Sequence, residues 1–169
     1  AGKPGAESTS YTINIDTLPP SQTIFIDSVY DNKTPVIGTV ADGGVTNDDT
    51  PEIKGHLNNA LNAGESVYVY RDGQYIGTAT VKSDNTWSYI DSSLGNNKTY
   101  LYTAKVVDLA SNESTVSNNY SITTNFDAPP QTITIIRVID DVEPKTGVVD
   151  NNGTTNDTTP RLEGSIGSA

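Results

Sequence analysis

The residues best suited to chemistry are aspartates and asparagines that occur twice at the same spacing. Asp31, Asn47 and Asp48 each have an identical residue 109 positions further along the chain: Asp140, Asn156 and Asp157. Carboxylate and amide oxygens are the ligands of Ca²⁺, which takes about six to eight, so these residues are candidate calcium ligands. The same side chains also stabilise turns by bonding their own backbone, and for Asn47 and Asp48 both interpretations stay open.

No nucleophile is paired with a base in this sequence. His56 is the single histidine, and on its predicted strand it shares an outward face with Glu52 and Lys54. We therefore interpret it as a surface residue and predict that the protein is not an enzyme. Paired carboxylates such as Asp48 and Asp49 are too common here to indicate acid-base catalysis, and glycosidase chemistry is a remote option.

The composition narrows the possible partners. The net charge is −11, from 21 acidic and 10 basic residues, which argues against nucleic acid because phosphates are bound by clustered Lys and Arg. No apolar run is long enough to span a bilayer. The 169 residues contain no Cys and no Met, so disulfides and thiolate metal sites are excluded, and we expect an internal fragment of a longer protein.

An internal repeat sets the domain organisation. Residues 22–57 align without a gap with residues 131–166, and 16 of the 36 pairs are identical. The same offset of 109 residues maps Tyr11 and Ile13 onto Tyr120 and Ile122. The sequence therefore predicts three pieces: the last strand of a preceding repeat (1–16), one complete repeat (17–126) and the opening strands of a following repeat (127–169).

Alternating β-branched and aromatic residues between Gly, Asn, Asp and Pro clusters indicate an all-β protein. Within the complete repeat they predict seven strands, a tight hairpin turn at Asp72 and Gly73, and a long polar connection over residues 31–49. The predicted strands cover residues 23–30, 51–57, 65–71, 75–81, 86–90, 99–108 and 115–125. Such a series indicates a sandwich of two antiparallel sheets.

Several tyrosines allow two interpretations. Tyr100 and Tyr102 occupy alternate positions of one predicted strand, as an inward face would, together with Ala104 and Val106. Tyr100 also follows Leu94 at a spacing reminiscent of a tyrosine corner. Tyr68, Tyr70 and Tyr75 could form an exposed platform on which a sugar stacks. Tyrosine is common on sandwich strands, so we favour ordinary packing.

In a seven-stranded sandwich of this order, the acidic residues fall at the two ends. The first long connection lies where the chain leaves the domain, which places Asp31, Asn47 and Asp48 beside the linker residue Asp127. Asp16 and Asp108 should lie together where the chain enters. At Asp108 and Asp127, which lie at predicted junctions, we favour calcium binding over a turn role.

A set of short motifs spans the chain: residues 31–35, Gly38, Val40, Gly44, residues 46–51, Gly55, residues 67–73, 77–79, 85–88 and 100–108, and residues 110–112. In these motifs the sequence resembles the bacterial immunoglobulin-like repeats of giant surface adhesins and biofilm-associated proteins. This chain carries Ser111 where a glycine is usual before Asn112. An additional Phe126 precedes Asp127.

The resemblance implies a function. Such proteins are typically exported by type I secretion, extend as stalks from the cell surface and often hold calcium where domains meet. We therefore expect a secreted, structural extender repeat that supports adhesion or biofilm formation, with interdomain Ca²⁺ held by Asp16, Asp31, Asn47, Asp48, Asp108 and Asp127. Its partners would be neighbouring repeats and, through a distal tip, a host or matrix receptor. The alternative is an immunoglobulin-like module that itself binds a glycan or protein.

Overall fold

A computed structural model describes residues 1–167 of the chain. Contacts divide the chain into two compact units, residues 1–126 and the part that begins at Asp127, and each unit is described by itself. The described residues form strands, turns and extended connections. Within this range no helix is long and apolar enough to cross a membrane.

The first unit is a sandwich of two five-stranded sheets. Its ten strands are β1 (Ile24–Asp31), β2 (Gly38–Val40), β3 (Gly44–Thr46), β4 (Glu52–Leu57), β5 (Ser66–Arg71), β6 (Gln74–Thr78), β7 (Thr80–Val81), β8 (Thr86–Ile90), β9 (Thr99–Val107) and β10 (Tyr120–Thr124). Sheet A has the order β2-β1-β4-β8-β7 and sheet B the order β3-β10-β9-β5-β6. Paired strands are antiparallel except β3 and β10, which are parallel. The predicted two-sheet sandwich is confirmed.

Apolar alternation places one face of each sheet in a shared core. On β9, Tyr102, Ala104 and Val106 are fully buried and face the interior. Trp87 of β8 packs over Gly55 of β4, where a Cβ would collide with the indole ring. Burial of these large aromatic surfaces contributes much of the hydrophobic stabilisation of the unit.

Two local predictions are confirmed by backbone and side-chain geometry. Asp72 and Gly73 have φ angles of 52° and 78°, as a two-residue primed turn between β5 and β6 requires. The Tyr100 hydroxyl accepts a hydrogen bond from the Gly95 amide at 2.7 Å, beside the buried Leu94. This contact fixes the connection that precedes β9.

The structure contains ten strands in this unit where the sequence predicted seven. Residues 31–49, predicted as a connection, contain the short edge strands β2 and β3, which are too short to show alternation. The predicted strand over residues 75–81 is two strands in different sheets, since β6 pairs with β5 and β7 pairs with β8. The chain changes sheets at Ala79, so a continuous sequence pattern hides a crossover.

The last predicted strand is shorter than expected. Only Tyr120–Thr124 forms β10, although the prediction began at residue 115. Before it, the hydroxyls of Ser114 and Ser117 accept the Val106 and Ala104 amides, each at 2.9 Å. Side chains therefore replace part of the backbone ladder beside β9.

Residues 11–15, predicted to be a strand, lie outside every strand of the described chain. Tyr11, Ile13 and Ile15 are 91%, 68% and 82% exposed. A strand needs a hydrogen-bonding neighbour, and no sheet of the described structure includes residues 11–15. Its assignment to a preceding repeat stays a prediction.

The second unit contains one three-stranded sheet in the order β12-β11-β13. Its strands are β11 (Ile133–Asp140), β12 (Gly147–Val149) and β13 (Arg161–Ile166). The register repeats that of β1, β2 and β4: Val138 pairs with Val149 as Val29 pairs with Val40. Strands β1 and β11 also have a shift in pairing register at equivalent positions. The shift lies between Ile26 and Ser28 in β1 and between Ile135 and Arg137 in β11.

Candidate functional site

Asp31 anchors a buried polar network where β1 ends. Its Oδ2 accepts a hydrogen bond from the Thr46 hydroxyl at 2.6 Å, and its Oδ1 accepts one from the Lys33 amide at 2.7 Å. Thr46 Oγ1 accepts the Asp48 amide at 3.0 Å. The Thr46 hydroxyl thus links the Asp31 carboxylate to the backbone amide of Asp48, across the long connection.

Asp48 is 1% exposed, and both of its carboxylate oxygens accept hydrogen bonds from nearby residues of the chain. Its Oδ2 accepts the Asn32 amide at 3.0 Å, and its Oδ1 accepts the amide and hydroxyl of Thr50 at 2.8 and 3.1 Å. The Asn47 side chain donates to the Thr34 carbonyl at 2.8 Å. These are turn-stabilising contacts of the kind that Asp and Asn side chains form with local backbone.

The second unit rebuilds this network. Thr155 donates its hydroxyl to Asp140 Oδ2 and accepts the Asp157 amide, at 2.5 and 2.9 Å. Asp157 accepts the Thr159 amide at 2.7 Å, and Asn156 donates to the Glu143 carbonyl at 3.0 Å. The recurring residues are therefore explained by a recurring loop structure.

This geometry bears on calcium binding. All four carboxylate oxygens of Asp31 and Asp48 already accept hydrogen bonds from protein donors. Each carboxylate oxygen has two lone pairs, so a calcium ion would compete directly only with the hydrogen bonds of Asp48 Oδ1, which already accepts two. In the described structure these two side chains therefore organise a turn.

The network lies at the downstream end of the first unit, which we define as the end where β10 finishes. The Asn125 amide donates to the Thr46 carbonyl at 2.8 Å, and the Phe126 amide donates to Asn96 Oδ1 at 2.6 Å. The network is thus beside the point where the chain leaves the unit. Asp127 follows, exposed, as the first residue of the second unit.

Asp16 and Asp108 are linked through Asn112 at the opposite, upstream end, where the chain approaches β1. The Asn112 side chain donates to Asp108 Oδ2 at 2.9 Å and to the Asp16 carbonyl at 3.2 Å. Asp108 Oδ1 accepts the amides of Ala110 and Asn112, each at 2.8 Å. Asp16 is exposed and Asp108 is half-buried, so this pair is more accessible than Asp31 and Asp48.

The loop after β9 is built around Asp108. Hydrogen bonds from the Asn112 side chain, and then from backbone amides, lower the pKa of the Asp108 carboxyl below its ordinary value. Ser111 has a φ angle of 67°, which is the left-handed region that favours glycine. This conformation gives a physical reason for the glycine that is usual at this position in the adhesin repeats.

Within the described residues, the side chains that commonly bind metals do not form a compact cluster. Residues 1–167 contain no group of three or more His, Cys, Asp or Glu side chains that could hold a metal ion. Asp16 and Asp108 supply two carboxylates at most, against the six to eight oxygens that Ca²⁺ takes. A complete shell at this end would need amide or backbone oxygens, or ligands from another domain.

His56 is on the outer face of sheet A, as predicted. Its Nδ1 lies 2.8 Å from Asp27 Oδ2, and its ring stacks on Phe25 with centroids 4.8 Å apart. The side chains of His56 and Asp27 are 45% and 49% exposed. These contacts fit the surface role that the sequence predicted.

Sequence reasoning missed a buried charged cluster that links the two sheets. Arg71, at the end of β5, donates to both oxygens of Asp91 at 2.9 Å, and the Tyr102 hydroxyl donates to Asp91 Oδ2 at 2.6 Å. Burial, followed by the bond to Asp91, raises the pKa of Tyr102. Asp91 follows β8 directly, and an aspartate after a strand looks like any turn residue, so the sequence carried no signal for this role.

Tyr68, Tyr70 and Tyr75 cluster on the outer face of sheet B. The Tyr75 ring centroid lies 4.7 Å from that of Tyr68 and 6.1 Å from that of Tyr70, with the planes inclined by 44° and 69°. Burial, followed by the nearby Glu113 carboxylate, raises the pKa of Tyr70 to about 12. The rings pack against one another at steep angles and form no flat platform, which favours ordinary packing.

Comparison with known proteins gives a family. A family model described as a bacterial Ig-like domain matches residues 28–125. No curated protein matches the chain. A crystal structure of CopC from Methylosinus trichosporium OB3b is similar at 12% identity and a TM-score of 0.35, covering 60% of this chain and 93% of that one, which is too weak to support an argument. Bacterial Ig-like domains are structural, non-enzymatic modules that are typically extracellular or surface exposed. Since the match covers more than half of its residues, this chain belongs to the bacterial Ig-like domain family.

Proposed function

We propose that this chain is an extender segment in the stalk of a secreted bacterial adhesin. The observation that carries the proposal is the repeat, since the Asp31 network of the first unit recurs in the second with the same donors and acceptors. Rebuilding one domain after another at a fixed offset is what a mechanical spacer requires. The stalk would hold a binding tip away from the cell and so support adhesion or biofilm formation.

The partners follow from this arrangement. Neighbouring repeats of the same chain are the immediate ones, and a host or matrix receptor would be contacted by the distal tip. The charge of −11 favours repulsion between domains, which opposes collapse of the stalk. Export by type I secretion is part of the proposal and rests on the resemblance to adhesin repeats.

Calcium at the junctions is the second part of the proposal. At the upstream end, Asp16 and Asp108 lie on either side of Asn112 and would contribute carboxylate oxygens. The preceding domain would supply the remaining ligands, and Asp127 would take the part of Asp16 at the next junction. A bound ion would neutralise part of the negative charge and cross-link the linker to the domain.

Small-angle scattering on proteins of two and three complete repeats tests both parts. If the repeat is an extender, the maximum dimension increases by a constant amount with each added repeat. If calcium stiffens the junctions, that dimension is larger in about 10⁻³ M Ca²⁺, a level suited to extracellular sites, than in chelator. Compact particles that do not lengthen would contradict the extender role, whereas lengthening without a calcium response would contradict only the second part.

A further inference from the structure

The first strand of the first unit is joined directly to the segment that leads into its last strand. The Ile26 amide donates to Asn118 Oδ1 at 2.9 Å, and Asn118 Nδ2 donates to the Ile26 carbonyl at 3.0 Å. One carboxamide therefore pairs with both backbone polar groups of a residue in β1, as a neighbouring strand would. We call this pair of hydrogen bonds the Asn118–Ile26 bridge.

The bridge lies on an edge of β1 that no strand covers in the described structure. Strand β2 pairs only with Val29, Tyr30 and Asp31, so the half of β1 nearer the upstream end has β4 on one side and no strand on the other. The shift in pairing register between Ile26 and Ser28 lies at the same point. Ile26 is 4% exposed, so its amide and carbonyl require partners within the protein.

The segment that carries Asn118 is attached to sheet B. Ser117, one residue earlier, accepts the Ala104 amide with its hydroxyl and donates its own amide to the Ala104 carbonyl, both at 2.9 Å. Ala104 is completely buried in β9. Asn118 is therefore held to sheet B through its backbone and to β1 of sheet A through its side chain.

Strand β10 is also held by the part of the chain that follows β1. The Tyr120 hydroxyl donates to the Val40 carbonyl at 2.6 Å, and the Ser121 amide donates to Asp42 Oδ1 at 2.7 Å. Strand β10 then pairs in parallel with the whole length of β3. The last strand of the domain is thus connected to its opening strands from one end to the other.

Strands β1 and β10 run in the same direction. Both finish at the downstream end, because Thr46 binds Asp31 at the end of β1 and accepts the Asn125 amide after the end of β10. Tension along a stalk pulls β1 upstream and β10 downstream, so the two strands slide past each other along their axes. A slide of one residue, about 3.3 Å, separates all the donors and acceptors between them at once.

We propose that the Asn118–Ile26 bridge and the pairing of β10 with β3 form a mechanical link that keeps the domain folded when the stalk is under tension. The inference rests on the proposed extender function, which places the two ends of each domain under opposing forces. Forced unfolding is governed by the unfolding rate, and these hydrogen bonds must break together before the domain lengthens. Hydrogen bonds elsewhere in the sandwich do not oppose this movement.

Single-molecule stretching of the full chain, held at its two ends, measures the barrier. Unfolding of the first unit is recognised by a gain in length of roughly 30 nm, since about 100 residues extend by ~3.4 Å each. Asn118→Ala should raise the unfolding rate at constant force about tenfold, because two hydrogen bonds are lost at the barrier. Asp42 is exposed, and Asp42→Ala, which removes the contacts of Ser121, should raise the rate independently.

Asp84→Ala is the matched control for these variants. Asp84 lies in the turn between β7 and β8, where its Oδ1 accepts the amide and the hydroxyl of Thr86 at 3.0 and 2.6 Å. The substitution removes as many hydrogen bonds as Asn118→Ala does, but none of them joins β1, β3 and β10. Contacts that remain formed at the barrier do not set the unfolding rate, so this variant should unfold under force at the wild-type rate.

Two results would overturn the proposal. One is a wild-type unfolding rate under force in both Asn118→Ala and Asp42→Ala. The other is an equal acceleration in Asp84→Ala, because the barrier would then report general stability. The extender function is unaffected by either result, since a repeat can lengthen a stalk without resisting force. Repeats that fail to lengthen the particle in scattering would contradict the extender function alone.

Discussion

At the scale of single residues, Asp48 shows how one carboxylate can hold a loop together. It accepts hydrogen bonds from the Asn32 amide and from the amide and hydroxyl of Thr50 while almost completely buried. We expect Asp48→Ala to lower the free energy of unfolding by about 3 kcal/mol, because buried donors would lose their acceptor. Urea unfolding followed by Trp87 fluorescence measures the loss.

Asp49→Ala is the matched control for this substitution. Asp49 pairs with Lys33 at 2.7 Å, but both side chains are 47% exposed, and ion pairs in that setting add little stability. The unfolding midpoint of this variant should equal that of the wild type. Equal losses in the two variants would show that Asp48 is not a structural acceptor.

The pKa of Asp108 provides a second residue-scale prediction. Because its folded-state pKa is lowered, chiefly by the Asn112 side chain, its stabilising contribution is present above the unfolded-state pKa and is lost as the pH falls through the lowered value. Asn112→Ala should therefore raise the titration midpoint of Asp108, measured by carbon NMR of its carboxyl group. Glu113→Ala, beside it in sequence, should leave the midpoint unchanged, and an unchanged midpoint in Asn112→Ala would refute the assigned cause.

Sequence could identify the recurring aspartates but could not decide their role. A turn former and a calcium ligand both require an oxygen-bearing side chain at an irregular loop, so Asp31 and Asp48 fit either. What separates the two is where the N–H and O–H donors lie, which depends on tertiary contacts such as that between Thr46 and Asp31. The buried partners of Asp91 were hidden for the same reason.

At the scale of elements, strands with long alternation were predictable and edge strands were not. The β5–β6 hairpin and β9 follow from local pattern and turn chemistry. Strands β2, β3 and β7 have two or three residues each, so their pairing is set by neighbours distant in sequence. The crossover at Ala79 depends on which sheet offers a free edge, and alternation says nothing about that.

The Arg71, Asp91 and Tyr102 cluster fastens sheet A to sheet B. The side chain of Asp91 is 3% exposed, so Asp91→Ala would leave Arg71 and the Tyr102 hydroxyl without their shared acceptor. We expect a loss of about 3 kcal/mol in the free energy of unfolding. Tyr102→Phe, which removes a single hydroxyl, should cost about 1 kcal/mol.

An exposed ion pair provides the comparison for that experiment. Lys105 and Glu113 pair on the surface, with side chains 29% and 44% exposed, so Glu113→Ala should have little effect on urea unfolding. If Asp91→Ala were no more destabilising than Glu113→Ala, the cluster would not be a link between the sheets.

At the scale of the whole molecule, we expect the buried core to determine domain stability and the acidic residues near the unit boundaries to determine how domains are joined. Core residues such as Ile53, Val67 and Trp87 stabilise a sandwich, while Asp16 and Asp127 lie outside the strands and near the unit boundaries. A substitution in a linker should therefore change how repeats are joined without changing the stability of any one of them.

Asp127→Ala tests this separation in a protein of two complete repeats joined by the linker that carries Asp127. We expect weaker calcium binding by calorimetric titration, because one carboxylate of the proposed junction is lost, and a melting temperature within about 2 °C of the wild type. Asp16→Ala makes the same chemical change at the outer end of the pair, where no preceding repeat completes a junction, and should leave the junction affinity intact. Equal affinity in wild type and Asp127→Ala would assign the linker carboxylate to a turn, and a large fall in melting temperature would place it in the structural framework of a domain.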